Sequence, residues 1–163
     1  MNYSEWEQHI PQSIRNDTLW KVTAYRFALF ASDLAWHDVT KLMQDKRTVE
    51  IASQLFRAIG SISANIAEGY SYRSDKNEAR YYEYAYGSAR ESRDWYFKAR
   101  HILGENVCQH RIKLLTNIVQ LLKVTVANTR NPTNKLREEP EPYIALDYNA
   151  DAPLPPQHDS MTA

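Results

Sequence analysis

Arg57, Ser61, Asn65 and Glu68 follow one another at intervals of three or four residues, a spacing that places all four on one side of a helix. A cation, a hydroxyl, an amide and a carboxylate gathered in this way admit two chemistries. They can hydrogen-bond across a helical core to polar residues such as Asp33, Ser88 and Glu91, because an interior charge is tolerated only when paired. Alternatively, Arg57, Asn65, Glu68 and Glu91 can line a polar pocket for a small molecule or a reaction. The cost of desolvating the charges favours the first.

A second group is aromatic and basic. Tyr82, Tyr86, Arg93, Phe97 and Arg100 share a flank of the helix that carries them. Aromatic and arginine side chains together suit a protein interface, and they also suit nucleic acid, where rings stack on bases and guanidinium groups meet phosphates. Phe27, Phe30, Ala31 and Leu34 similarly leave an earlier helix apolar on more than one side, as a helix buried twice should be. Phe27, Phe30, Leu34, Tyr82, Tyr86 and Phe97 are therefore the expected self-association surface. Arg73, Lys76, Arg80, Arg90, Arg93 and Arg100 are the expected phosphate contacts.

Signatures of catalysis are sparse. A dinuclear metal site in a helical bundle uses carboxylates with Glu-x-x-His pairs, and the sequence contains no Glu-x-x-His. Glu105, Cys108 and His110 lie close together without a matching second pair, which makes a metal site there unexpected. A glycine-rich phosphate loop, a Gly-x-Ser-x-Gly elbow and zinc-finger spacings are also missing. The expectation is a protein that binds rather than catalyses, without metal or cofactor.

The elements that must position these residues are helical. All seven prolines lie outside residues 17–131, so this stretch can form long helices. A first long helix is predicted after Asn16, Asp17 and Thr18, ending near Gln44, with Leu19, Val22, Tyr25, Leu29, Trp36 and Met43 inward. A second spans Thr48 to Glu68 on the stripe Ile51, Leu55, Ile59, Ile62 and Ile66, with Gly69 as its C-terminal cap. A third runs from Ser74 and Asp75 to Leu103, burying Tyr81, Ala85, Ser88, Ser92, Trp95, Ala99 and Ile102, with Gly104 ending it. A fourth covers Glu105 to Arg130, with Leu115, Ile118, Leu122 and Val126 inward. Short links between long helices favour antiparallel neighbours, so the expected fold is an all-α, up-down-up-down four-helix bundle.

The 163 residues suit one domain of residues 17–131, flanked by an N-terminal extension (1–16) and an acidic, proline-rich tail (132–163). The tail is expected to be flexible and solubilising, the alternative being docking through Tyr143, Ile144, Leu146 and Tyr148. Net charge is zero, yet residues 17–131 hold 17 Lys and Arg against 12 Asp and Glu, a mildly basic body that favours an anionic partner. One cysteine, Cys108, excludes an internal disulfide and fits a reducing cytoplasm. The start, MNYSEWEQHIPQSIRNDT, does not read as a signal peptide, and Arg26 and Asp33 interrupt the most apolar segment, so neither secretion nor a membrane span is expected.

The run from Arg57 to Tyr70, RAIGSISANIAEGY, with Ser74 and with Gly87, Ser88 and Glu91 beyond it, resembles the signature of four-helix-bundle proteins encoded by intervening sequences in large-subunit ribosomal RNA genes. The resemblance covers residues 19–130. It implies a left-handed four-helix bundle assembled as a ring-shaped homopentamer. It also implies a distant tie to accessory proteins of diversity-generating retroelements, which bind nucleic acid and a reverse transcriptase. Arg57, Ser61, Asn65, Glu68, Gly69, Ser74, Gly87, Ser88 and Glu91 are the motif positions carried over, clustered where the two central helices meet and expected to be structural.

Overall fold

The computed structural model of the protein describes residues 2–131, 147–148 and 150–156, and among these every regular element is a helix. Two short helices, α1 (Tyr3–His9) and α2 (Gln12–Arg15), and a 3-10 turn (Thr18–Lys21) precede four long ones. These are α3 (Thr23–Leu42), α4 (Val49–Tyr70), α5 (Asp75–Leu103) and α6 (Glu105–Arg130). Residues 43–48 join α3 to α4, residues 71–74 join α4 to α5, and Gly104 alone, at φ +87°, joins α5 to α6. Only glycine adopts that angle without strain. Each long helix packs on its neighbour in sequence, and α3 also meets α6, so all four share one core.

That core alternates in bulk. Ala28, Ala31 and Ala35 of α3 and Ala85, Ala89 and Ala99 of α5 face Leu55, Ile59, Ile62 and Ile66 of α4 and Leu114, Leu115, Ile118 and Leu122 of α6. Small residues bring backbones close while branched ones fill the space between, and each buried Ile or Leu stabilises by about 1.5–3 kcal/mol. The inward stripes of α4 and α6 are those read from the sequence, except that Ile51 and Val126 lie half-buried.

The first long helix differs from expectation. Asp17 caps only the 3-10 turn, accepting from the Leu19 amide at 2.8 Å, and extended Val22 breaks the chain before α3 begins. The break lets Trp20 turn back to stack on Trp6. The core face of α3 is also rotated from the expected one. Ala28, Ala31, Leu34, Ala35, Asp38 and Leu42 are buried, whereas Trp36 and Met43 are 63% and 54% exposed. The bulk of Trp36 and Met43 favours the expected face, but close helix approach makes the alanine face the buried one.

On α5, Ala85, Ser92 and Ala99 are inward as expected, but Tyr82 and Tyr96 are buried in place of Tyr81 and Trp95. Gly69 does not cap α4, which continues through Tyr70. A Cβ there would meet the Tyr81 Cβ at 3.0 Å and the Tyr82 ring at 3.1 Å, so glycine serves the close approach of α5.

Both flanks contribute contacts. A reciprocal capping box between Asn2 and Glu5 starts α1, and Trp6 is buried against Phe30 and Tyr3, its Nε1 donating to Asp33. In the tail, Tyr148 stacks on Phe27 at 4.9 Å, its carbonyl accepts from the Tyr3 amide, and Ala152 and Pro155 are buried. Docking rather than a solubilising role thus describes residues 147–148 and 150–156. Tyr143, Ile144 and Leu146 lie outside the described residues. No helix among the described residues is long and apolar enough to cross a membrane.

Candidate nucleic-acid interface

Five of the six expected phosphate contacts ride on α5, and Arg73 precedes it. At 29 residues α5 is about 43 Å long, and at 3.6 residues per turn they are spread along and around it rather than gathered in one cluster. Three are paired with aromatic rings. Arg80 Nε donates to the Tyr84 hydroxyl at 2.7 Å with its guanidinium 5.5 Å from that ring. Arg90 Nη1 donates more weakly to the Tyr86 hydroxyl, at 3.4 Å, with its guanidinium 5.5 Å from that ring. Arg100 sits 4.1 Å from the Phe97 ring and donates to the Phe97 carbonyl. Among the described residues none of these three is in an ion pair with a carboxylate. A guanidinium lying against a ring and unneutralised by an acid retains charge for phosphate and a flat face for a base.

Arg93 is placed differently, half-buried and donating to Thr116 Oγ1 at 3.2 Å, so it ties α5 to α6. Lys76 and Arg80 line an open cleft between the start of α5 and the end of α6, together with Asp75, Tyr84 and the Glu83–Arg130 ion pair of 2.6 Å.

Of the α4 motif residues, Ser61 and Asn65 are half-buried and bond within their own helix. Ser61 Oγ donates to the Arg57 carbonyl and Asn65 Nδ2 to the Ser61 carbonyl, while Arg57 and Glu68 are exposed. Glu91 accepts from Trp95 Nε1, and Ser92 Oγ donates to the Ser88 carbonyl on the same helix. The expected bonds to Asp33, Ser88 and Glu91 across the core are therefore not made. Hydrogen bonding to Tyr72 and to Glu68 pushes the Tyr81 hydroxyl above its ordinary value, which links the end of α4 to α5. Gly69 meets α5 directly, whereas Ser74 precedes α5 without a side-chain cap bond, and Gly87 is exposed with open space beside it.

The expected self-association surface needs correction. Phe30, Leu34 and Tyr82 are buried within the chain, and half-buried Phe27 is covered by Tyr3 and Tyr148. The second apolar side of α3 was real, but α1 and the tail cover it. Tyr86 is half-buried beside Arg90, and Phe97 remains 55% exposed. An apolar surface elsewhere that stays open is a groove lined by Trp36, Val39, Met43 and Phe56, where Trp36 meets Phe56 edge to face.

The most demanding polar site was missed from the sequence. Asp38 and Arg111, 0% and 1% exposed, form an ion pair in the core, with Arg111 Nε 2.8 Å and Nη2 3.2 Å from the carboxylate. The buried Tyr96 hydroxyl donates to the same carboxylate at 2.8 Å. Burial and the Asp38 charge hold that hydroxyl well above its ordinary pKa, keeping it a donor. Arg111 Nη1 lies 3.0 Å from His110 Nδ1, and Nη2 donates to the Pro153 carbonyl of the tail at 2.8 Å. His110 is pushed down to about 4 by burial and by the charges of Arg111 and Lys113, so its Nδ1 accepts. Burial pushes the Cys108 thiol up to about 12, a poor nucleophile and metal ligand. The site joins α3, α5, α6 and the tail. A signal for it exists in the sequence: Asp38 follows Ala31 and Leu34, and Arg111 stands between Cys108 and Leu115, each on an otherwise apolar stripe.

Among the described residues no group of three or more His, Cys, Asp or Glu side chains is placed to hold a metal. Comparison with curated proteins and with solved structures gives no match. A family model described as 23S rRNA-intervening sequence protein matches residues 24–124, from the start of α3 to the last turns of α6. The match spans more than half of the sequence and includes the α4 motif, the aromatic and basic set of α5 and both members of the buried ion pair, so the chain belongs to the 23S rRNA-intervening sequence protein family.

Proposed function

We propose that the protein is a non-catalytic, cytoplasmic helical adaptor that self-associates and engages nucleic acid along α5. The observation that carries this reading is the set of α5 arginines laid against aromatic rings, Arg80 on Tyr84, Arg90 on Tyr86 and Arg100 on Phe97, in a member of a family named for ribosomal RNA intervening sequences. The links of residues 43–48, 71–74 and Gly104 are short enough to favour antiparallel long helices, an up-down-up-down bundle with α5 as one outer edge. The homopentamer, and a role beside a reverse transcriptase of a retroelement, rest on the family resemblance alone.

The test is binding of a mixed-sequence RNA by fluorescence anisotropy across a salt series. Counterion release makes phosphate binding strongest at low salt, and each phosphate contact removed lowers the log–log salt slope by about one. Arg80→Gln with Arg90→Gln is expected to flatten the slope without unfolding the chain. No RNA or DNA binding at low ionic strength would sink the reading.

A second reading, a protein-binding scaffold, is favoured by the open Trp36, Met43 and Phe56 groove, since an exposed apolar patch of this kind marks a protein contact. A partner recovered equally well after nuclease treatment, and lost with Trp36→Glu, would select it.

A further inference from the structure

The groove that receives the tail has the features of a peptide-recognition site. Its floor carries a buried guanidinium, already neutralised by Asp38, with Nη2 directed at a main-chain carbonyl, that of Pro153. Contact with a carbonyl reads the backbone and leaves the side chain free to differ. Pro155 and Ala152 turn inward, while Leu154 between them points out and is 57% exposed. Prolines keep such a segment extended before it binds, which reduces the entropy lost on docking. His37, Thr40, Lys41 and Gln44 of α3 border one side of the segment, and Leu103 and Val107 at the α5–α6 corner border the other. Upstream, the groove holds Tyr148 by its ring on Phe27, by its carbonyl on the Tyr3 amide and by Asn117 Nδ2 donating to its hydroxyl at 2.7 Å.

We propose that this groove is a docking site for the 147–156 segment of a second copy of the chain, its own segment being the ligand that occupies it within one molecule. A second copy carries the same residues, so every contact named above can be remade between molecules. Residues 131–146 separate the segment from α6, and sixteen residues can span up to about 55 Å, far enough to reach a neighbouring molecule. Docking within one chain has the advantage of an effective concentration on the order of millimolar. Exchange between copies therefore appears at comparable protein concentrations or wherever copies are held side by side. The proposal is independent of nucleic-acid binding.

Leu154 and Thr40 are both exposed and border the same part of the groove, and the only native cysteine is buried. Full-length chains carrying Leu154→Cys are mixed with heavier, tagged chains carrying Thr40→Cys and treated with a short thiol crosslinker; a chain carrying both substitutions reports docking within one molecule. The expected result is closure of the double variant within itself, and mixed dimers in the mixture exceeding like-with-like dimers by about tenfold near millimolar concentration. A free peptide of residues 147–156 should suppress the mixed dimers. Mixed dimers no more abundant than random collision gives, or insensitive to the peptide, would overturn exchange between copies. Failure of the double variant to close within itself would overturn the groove.

Discussion

Asp38 and Arg111 exclude water, and each leaves a charge behind when the other is removed. Breaking a buried pair from one side costs about 3–5 kcal/mol, whereas replacing both partners by apolar residues of similar volume is often neutral. Arg111→Met is expected to lower unfolding stability by about that amount, and Asp38→Leu with Arg111→Met to recover most of it; urea titration of the two variants decides. His110 adds a pH dependence of definite sign. Its folded pKa of about 4 lies below the ordinary 6.5, so between these values the unfolded chain takes up a proton that the folded chain refuses. The melting temperature should fall as pH drops from 6.5 towards 4, and His110→Gln should remove that part of the fall. At this scale the sequence was least legible. An acid on an alanine stripe and an arginine on an aliphatic one look like helix-surface residues until the two stripes face each other, and the pairing spans 73 residues.

Elements were more legible where side-chain bulk and burial agree. The Ile and Leu stripes of α4 and α6 were readable because their large residues are the buried ones. On α3 and α5 half of the buried residues are alanines, so bulk marks the inward face poorly, and Trp36 and Trp95 lie outside it. Glycine shows the same dependence on the facing element. Gly69→Ala places a methyl 3.0 Å from the Tyr81 Cβ and is expected to destabilise by about 1–3 kcal/mol, as overpacking does. Gly60 and Gly87 lie within helices with nothing inside 4 Å. Alanine there should stabilise by about 0.5–1 kcal/mol through helix propensity. Thermal melts of the three single variants check both signs. Should Gly60→Ala or Gly87→Ala raise the melting temperature and also change the solution mass, that face is where copies meet.

For the whole molecule, the sequence showed four long helices and the family, but neither the two short helices before them nor the docking of both flanks on the body. Trp6 and Tyr148 have no periodicity of their own, and they pack on the aromatic shelf of Tyr3, Phe27 and Phe30, which forms only when chain segments far apart in sequence meet. Trp6→Ala should cost about 3–5 kcal/mol, as loss of a buried tryptophan does, which would make the leading segment part of the cooperative unit; a single coincident transition by circular dichroism and tryptophan fluorescence is the check. The Pro153 carbonyl on Arg111 and the Tyr3 amide on Tyr148 also bear on synthesis. During translation α3 to α6 emerge before Pro153, so the Asp38–Arg111 pair is made before its carbonyl partner on the tail. A nascent chain stalled after α6 would expose the edge of that guanidinium and the rim of the aromatic shelf, a local defect by which a protease could distinguish it from a copy that carries Tyr148 and Pro153.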